Sequence, residues 1–341
     1  MIFVKNTNLL YPTRDDAITS TTHLEGYFEL DVFKADAYGN KIEKSKRRVA
    51  EFHNLILNQG LDYLAQGTTS NVNSTLTCCQ VGTSSVVPAA GQTGLQSFLA
   101  GTNNVVATNS TTQPSSPFYG TKTLTYEFAV GAAAGNLAEV GVGRASTGNV
   151  LFCRALILDG GGVPITITVL SDEILQVTYS LRCYPVEADT PAVVTISGSN
   201  YTFTRRPIRV TSNEWAFSLN SSTAINGFGL NDSTTSSMVA FSGGLVAATS
   251  TDMLGTSANR SSAVNNAYVS GTYTRACTGT WSIATANFGA GGIQGLQVAA
   301  RFGVVVGGPG VYQYGISPGI PKINTQQLVM NYSFQWARKT I

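Results

Sequence analysis

The stretch LQVTYSLRCYP at 175–185 returns as LVMNYSFQWAR at 328–338. Leu175, Tyr179 and Ser180 of the first match Leu328, Tyr332 and Ser333 of the second at one constant offset. Both stretches alternate. Leu175, Val177, Tyr179, Leu181 and Cys183 fall on one face, and Gln176, Thr178, Ser180 and Arg182 on the other. In the second stretch Met330, Tyr332, Phe334 and Trp336 share the inward face. A period of two describes an antiparallel strand with one wet side. A chain that writes such a strand twice is expected to build two similar β-units, each burying its apolar face against a further sheet.

Other phrases repeat in the same order. GTKTLTYEFAV (120–130) is answered by GTYTRACTGTWSI (271–283), GNLAEVGVGR (135–144) by GGIQGLQVAAR (291–301), and FCRALI by YQYGI (312–316). The offset shrinks slightly toward the closing strand, as shorter late loops in the second copy would produce, because turns tolerate deletion and strand registers do not. TLTYEFAV (123–130), LAEVGVGR (137–144), VLFCRALIL (150–158), ITITVL (165–170) and ILQVTYSLRCY (174–184) read as strands parted by Gly, Asn or Pro clusters. Two copies are too few for a solenoid. The expected fold is all-β: two similar antiparallel β-sandwich-like domains from an internal duplication, with an N-terminal hairpin and one short helix.

Only 12% of the 341 residues are charged and 35 are glycine, a balance that disfavours long helices and suits sheets with tight turns. The length suits two domains. LEGYFELDVFKA puts Phe28, Leu30 and Val32 on one side, AYGN at 37–40 signals a turn, and KIEKSKRRVAEF returns, predicting a β-hairpin over 24–52. In FHNLILNQGLDYLAQG the residues Phe52, Leu55, Ile56, Leu61 and Leu64 recur near a helical period, interrupted by Gly60. That pattern predicts one helix with a break, or a short one ending at Asn58–Gly60, with His53 on its face. PVEADTPAVVTISGSNYTFTRRPIRV is punctuated by Pro185, Pro191 and Pro207 and reads as a connector, with a strand pair at 193–204 around Gly198-Ser199. The expected organisation is an arm and hairpin at 1–50, a first β-domain at 51–186 opening on the helix, a connector at 187–210, and a second β-domain at 211–341.

A net charge of +2 gives no field that would draw nucleic acid, so none is expected as a partner. MIFVKNTNLLYP lacks the basic flank and apolar run of a signal peptide, and no segment reaches the length of a membrane span. Five cysteines are an odd number, and Cys78 and Cys79 are adjacent, an unfavourable pair for a bridge. With Cys153, Cys183 and Cys277 set singly in apolar stretches, all five read as buried free thiols of a protein folded in a reducing cytoplasm.

Chemistry is sparse. Neither His23 nor His53 belongs to a nucleophilic set, Cys78-Cys79 lacks the spacing that turns two thiolates toward one zinc, and no cofactor motif is present. Glycoside cleavage needs two acids about 5–9.5 Å apart. The adjacent acids Asp15-Asp16 and Asp172-Glu173 read instead as turn residues, since neighbours on a strand point opposite ways. GVGR at 141–144, DGGG at 159–162 and GGPG at 307–310 precede strands rather than a helix, and so read as β-turns rather than phosphate cradles. The expectation is no catalytic, cofactor or metal site.

Candidate contact residues come from three places. Phe3, Val4, Leu9 and Leu10 are the apolar part of a polar N-terminal segment, either an arm that docks on a neighbour or a short strand in its own domain. Lys44, Lys46, Arg47 and Arg48, with Lys41 nearby, form the one basic cluster; Glu43 and Glu51 interrupt it and no aromatic platform accompanies it. Arg205 and Arg206 stand beside Pro207 as anchors of the connector or of a partner.

Read in order, FHNLILNQGLDYLA, CQVGTSS with Pro88 beyond, LQSFLAGT, FYGTKTLTYEF, GNLAEVGVG and LFCRALILDGGGVPITITVLSDEILQVTYSLRCYP resemble a group of tailed-bacteriophage structural proteins described as tail or tail-fibre proteins. The likeness runs over 51–185, thins to a strand skeleton over 211–341, and leaves out 1–50. It brings no catalytic residues with it. It implies a virion part without fixing which. Low charge, Thr/Ser/Asn-rich strands and the lack of an active-site constellation suit a non-enzymatic subunit near the tail or its fibres, made in the host cytoplasm, that works as a symmetric homo-oligomer through contact with copies of itself and other virion proteins. A receptor- or glycan-binding adhesin is the alternative, with Tyr201, Trp215 and Tyr268 as its aromatic candidates. A capsid decoration or collar protein is another, and a depolymerase a third.

Overall fold

The computed structural model describes residues 9–12, 17–65, 75–212, 215, 228–229, 238–257, 261–298, 300–302 and 311–340. It is all-β, apart from one short helix and two single 3₁₀ turns. Its organising element is the strand Ile18–Lys34, which is 17 residues long and buries Leu24, Phe28, Leu30 and Val32 as the alternation predicts. Along one edge this strand pairs antiparallel with Glu173–Pro185, from Lys34 opposite Glu173 to Thr22 opposite Pro185. Its other edge changes partner midway. Ile18 to Leu24 run parallel to Tyr332–Arg338 of the closing strand Gln327–Arg338, and Tyr27 to Val32 then run antiparallel to the strand Arg47–His53.

The two strands with matching sequences therefore flank one and the same strand. Outward from Glu173–Pro185 come Gly120–Glu127 and then Val105–Thr112; outward from Gln327–Arg338 come Thr274–Trp281 and then Ser262–Asn265. All belong to one nine-stranded sheet. The registers correspond too. Leu124 faces Tyr179 and Cys277 faces Tyr332. One position further, Thr125 and Thr178 hydrogen-bond through their hydroxyls at 3.0 Å, and Thr278 donates to Asn331 at 3.2 Å.

Each half is closed by a second sheet. In the first, the order is Leu55–Ile56, Leu151–Leu156, Glu139–Gly143, Cys78–Gly82, Phe98–Thr102; in the second it is Thr190–Ile196, Ser199–Pro207, Tyr312–Ile320, Ile293–Val298, Met238–Phe241. Val81, Val140, Val142 and Cys153 meet Leu124, Tyr126, Val177 and Tyr179 in the core of the first half. In the second, Tyr314 sits edge-on to Tyr332 and Tyr312 packs on Phe334, with ring centroids 6.4 and 6.0 Å apart. These residues join in one continuous apolar cluster. At about 1.5–3 kcal/mol for each large side chain removed from water, the inward rows are the main stabilising term.

Several sequence expectations change. The helix is Asn58–Tyr63, so it begins where the shorter reading ended it, and Phe52 and His53 lie on strand Arg47–His53 rather than on a helix. The apolar spacing that imitates a helix is a strand whose Phe52 faces Phe28, with centroids 5.9 Å apart, followed by the short strand Leu55–Ile56. Gly60 is the close-approach point of the helix: a Cβ there would collide with the Phe152 carbonyl. GVGR is not a turn. Gly141 and Gly143 sit inside strand Glu139–Gly143, where a side chain would strike the backbone of Leu151–Leu156 or the residue before it. DGGG is a turn, held by Asp159 Oδ1 accepting from the Gly161 and Val163 amides at 2.9 Å; GGPG lies outside the described residues.

The 187–210 stretch forms the hairpin Thr190–Ile196 and Ser199–Pro207, whose second strand pairs with Tyr312–Ile320 and so is built into a sheet. Ile18–Lys34, placed by sequence in an N-terminal arm and hairpin, does pair with Arg47–His53, but it runs through the middle of the largest sheet. The halves are fastened again at the helix. Asp62 accepts from Tyr268 Oη at 2.5 Å, Ser270 Oγ at 2.7 Å and the Gly271 amide at 2.7 Å, while Trp336 Nε1 donates to the Leu61 carbonyl at 2.9 Å.

Candidate functional site

The basic cluster closes on acids of its own chain. Arg48 reaches Asp31 at 2.6 Å, Glu29 at 2.7 Å and Glu51 at 3.3 Å; Lys46 reaches Asp31 at 3.2 Å and Arg47 reaches Glu173 at 3.2 Å. Lys41 pairs with Glu127 at 3.0 Å, and Lys44 is exposed on the 3₁₀ turn. Asp31 and Glu173 are buried acids, so the cations that cover them neutralise charge the fold has already taken from water. Glu173 also accepts from the Leu170 amide at 2.9 Å, and its neighbour Asp172 pairs with Lys34 at 3.4 Å. The two acids thus work separately; Asp15-Asp16 lie outside the described residues.

Of the N-terminal candidates, Phe3 and Val4 lie outside the described residues. Leu9 and Leu10 form a two-residue strand parallel to Gln327 and Leu328, and the next residues reach the hairpin at Ile196 and Ser197. Arg205 is buried, donating to the Thr19 carbonyl at 3.4 Å and to Thr190 Oγ1 at 2.8 Å. Arg206 makes a two-armed contact with Asp189 at 2.7 and 2.6 Å, which holds the Asp189 carboxyl below its usual range. Both arginines tie the hairpin to its own chain. The aromatics proposed for ligand contact are turned inward: Tyr201 and Trp215 are buried, and Tyr268 is bonded to Asp62.

Where the neighbours of Ile18–Lys34 change, the departing strands leave a fork. A cavity of about 220 Å³ opens there, lined by Leu24, Glu25, Gly26, Asn54, Arg338 and Lys339, among others. Glu25 is buried beside it. Tyr184 Oη donates to its carboxylate at 2.5 Å, and Arg182, Lys339 and His53 stand 3.7, 3.8 and 3.6 Å away. Burial, then the Glu25 carboxylate, pushes the Tyr184 phenol well up. A carboxylate enclosed by a phenol, an imidazole and the cations of Arg182 and Lys339 is an electrostatic clasp between residues 24–26 and the 338–339 end of the closing strand.

A second buried acid builds something different. Glu139 and Arg154 face each other from adjacent strands of the first half's second sheet, both fully buried and 2.7 Å apart. Glu139 also accepts the amides of Gln96 and Ser97 at 3.1 and 2.7 Å. Arg154 donates to Gln92 Oε1 and to the Val86 carbonyl, each at 2.7 Å. Every one of these partners lies on the loop that joins Cys78–Gly82 to Phe98–Thr102, so the ion pair pins that loop from beneath. The loop holds Val86 and Val87 out in solvent, Val87 at 71% exposure, and leads into Phe98 and Leu99, which are also exposed.

Sequence reasoning read LAEVGVGR and VLFCRALIL as plain strands and passed over these two residues. The signal was an acid and an arginine set in the middle of runs whose other members are apolar, a pattern that burial tolerates only for a paired charge. Among the described residues no group of His, Cys, Asp and Glu is placed to hold a metal ion, and all five cysteines are buried and free. No helix of the described residues is long and apolar enough to cross a membrane. No family model, no curated protein and no solved structure matches the chain.

Proposed function

We propose that this chain is a non-enzymatic structural subunit of a tailed-phage virion, associated with the tail or its fibres, that works by contact with copies of itself and with neighbouring virion proteins. The observation that carries this reading is one flank of the first half. Residues 63–121 contain no Asp, Glu, Lys, Arg or His, yet they supply the pinned loop with its exposed valines and the strands Phe98–Thr102 and Val105–Thr112. Exposed apolar side chains set in an uncharged stretch, Val86, Val87, Phe98, Leu99 and Val106, mark a surface suited to contact with another protein. Among the described residues the buried acids Asp31, Glu173, Glu25 and Glu139 are each drawn into internal ion pairs.

The matching strand orders of the two halves support an internal duplication, in which the copies were joined through Ile18–Lys34. Such a subunit offers two related surfaces to its neighbours, which suits a symmetric assembly. Mass spectrometry of gradient-purified phage particles from cells that carry this gene tests the reading. The chain present in the particles at a fixed stoichiometry supports it. Its confinement to the soluble lysate while complete particles form contradicts it.

A further inference from the structure

The chain passes from the second sheet of the first half into the nine-stranded sheet through the turn at 103–104, between Phe98–Thr102 and Val105–Thr112. A cavity of about 520 Å³ opens beside that turn, lined by Thr77, Cys78, Asn103, Asn104, Val105 and Arg144. It has the size of a small-molecule site. The turn is fixed in place. Thr102 Oγ1 donates to the Glu127 carbonyl at 3.0 Å and accepts the Asn104 amide at 3.1 Å, while the Glu127 amide donates to the Asn104 carbonyl at 3.0 Å. Asn103 and Asn104 themselves are exposed. Arg144 follows the strand Glu139–Gly143, its amide donating to the Val150 carbonyl at 3.1 Å and its carbonyl accepting from Thr77 Oγ1 at 3.0 Å. Its guanidinium lies over the Tyr63 ring, 3.7 Å from the centroid. A guanidinium stacked by its face keeps its N–H groups at the edge, in the plane that grips a carboxylate or phosphate through two bonds.

The chain around the cavity sets its sign. Residues 75–105 and 140–153 together hold one charged group, Arg144. Burial pushes the Cys78 thiol up, so it stays protonated at neutral pH and adds no negative charge. Burial also pulls the Arg144 pKa down, because the fold has taken water from the guanidinium, and an arriving anion replaces that lost hydration. We propose that this cavity binds an acidic sugar, its carboxylate or phosphate gripped by Arg144 and its hydroxyls hydrogen-bonded by Asn103, Asn104 and Thr77. The acid group follows from the cation. The hydroxyls follow from the carboxamides, each of which both donates and accepts. A bare oxyanion would leave most of the cavity unfilled. The site adds a ligand to the virion-subunit reading and does not depend on it.

Isothermal titration calorimetry of the full chain with glucuronate, a glucose monophosphate, glucose and inorganic phosphate tests the site. One of the two acidic sugars is expected to bind saturably, more tightly than glucose or phosphate and more weakly as salt is added. Which of the two binds identifies the acid group. Arg144→Gln is expected to abolish the binding heat. Because that change also removes a ring contact, Asn103→Ala on the exposed turn is the second variant, expected to weaken binding about tenfold with the melting temperature unchanged. Inorganic phosphate binding as tightly as either sugar acid would overturn the sugar assignment. Glucose binding equally well, no binding of either acidic sugar, or full binding by Asn103→Ala would overturn the site. A chain that assembles and binds none of the probes leaves the subunit reading standing and removes this one.

Discussion

Tyr179 and Tyr332 stand on opposite sides of one strand: Tyr179 pairs with Phe28 across one edge of Ile18–Lys34, and Tyr332 pairs with Ile18 across the other. Each is fully buried and each belongs to the core of its own half. A strand near the N-terminus therefore holds together two units whose remaining strands come from separate stretches of chain. Neither half completes its main sheet without it.

The halves are expected to unfold together. Tyr179→Ala and Tyr332→Ala each remove a large buried ring, at a cost of about 3–5 kcal/mol, and each should lower a single calorimetric transition. Two resolved transitions, with each variant moving only one, would mean that Ile18–Lys34 does not couple the halves.

Breaking the Glu139–Arg154 pair should cost about 3–5 kcal/mol, because Arg154→Met leaves a buried carboxylate without its cation. The double variant Glu139→Gln/Arg154→Met should recover part of that loss. Hydrogen exchange supplies the local readout: the Gln96 and Ser97 amides, which Glu139 accepts, should lose protection in the single variant before the rest of the sheet does.

The buried thiols set an alkaline limit. Burial pushes Cys153, Cys183 and Cys277 from the ordinary 9.0 to about 12. The folded state thus favours the protonated thiol more than the unfolded state does. This contribution is complete below pH 9.0 and is lost as pH rises from there toward about 12. Chemical denaturation between pH 8 and 11 should show falling stability, shallower in a Cys153→Ala background once that variant's own cavity cost is subtracted. A thiol reagent at neutral pH should label the five cysteines only as fast as the protein opens.

Gly60→Ala is predicted to destabilise by about 1–3 kcal/mol, as overpacking does, because the new methyl meets the rigid backbone of Phe152 rather than a movable side chain. Since a glycine-to-alanine change inside a free helix stabilises, the sign alone separates tertiary contact from propensity. Equilibrium unfolding in urea reads it.

The alternation of 175–184 and 328–336 is legible because burial on one face of a sheet writes itself into every second residue. What local pattern does not carry is partnership across distance. Nothing within 18–34 marks it as the strand between Tyr179 and Tyr332, because its hydrophobic face is the same whether it closes a hairpin or a nine-stranded sheet. Phe52, Leu55 and Ile56 imitate a helix by spacing alone, and only contact with Phe28 and Cys153 makes them strands. Glu139 and Arg154 were visible as charges in apolar runs, but their meaning depends on a loop that folds back over them.

The most direct test of the account is the native mass of the purified chain by light scattering over a concentration series. A discrete, symmetric oligomer that dissociates on dilution is the predicted result, since the uncharged 63–121 stretch sets Val86, Val87, Phe98 and Leu99 out for a partner to cover. A strict monomer across the whole series would contradict it.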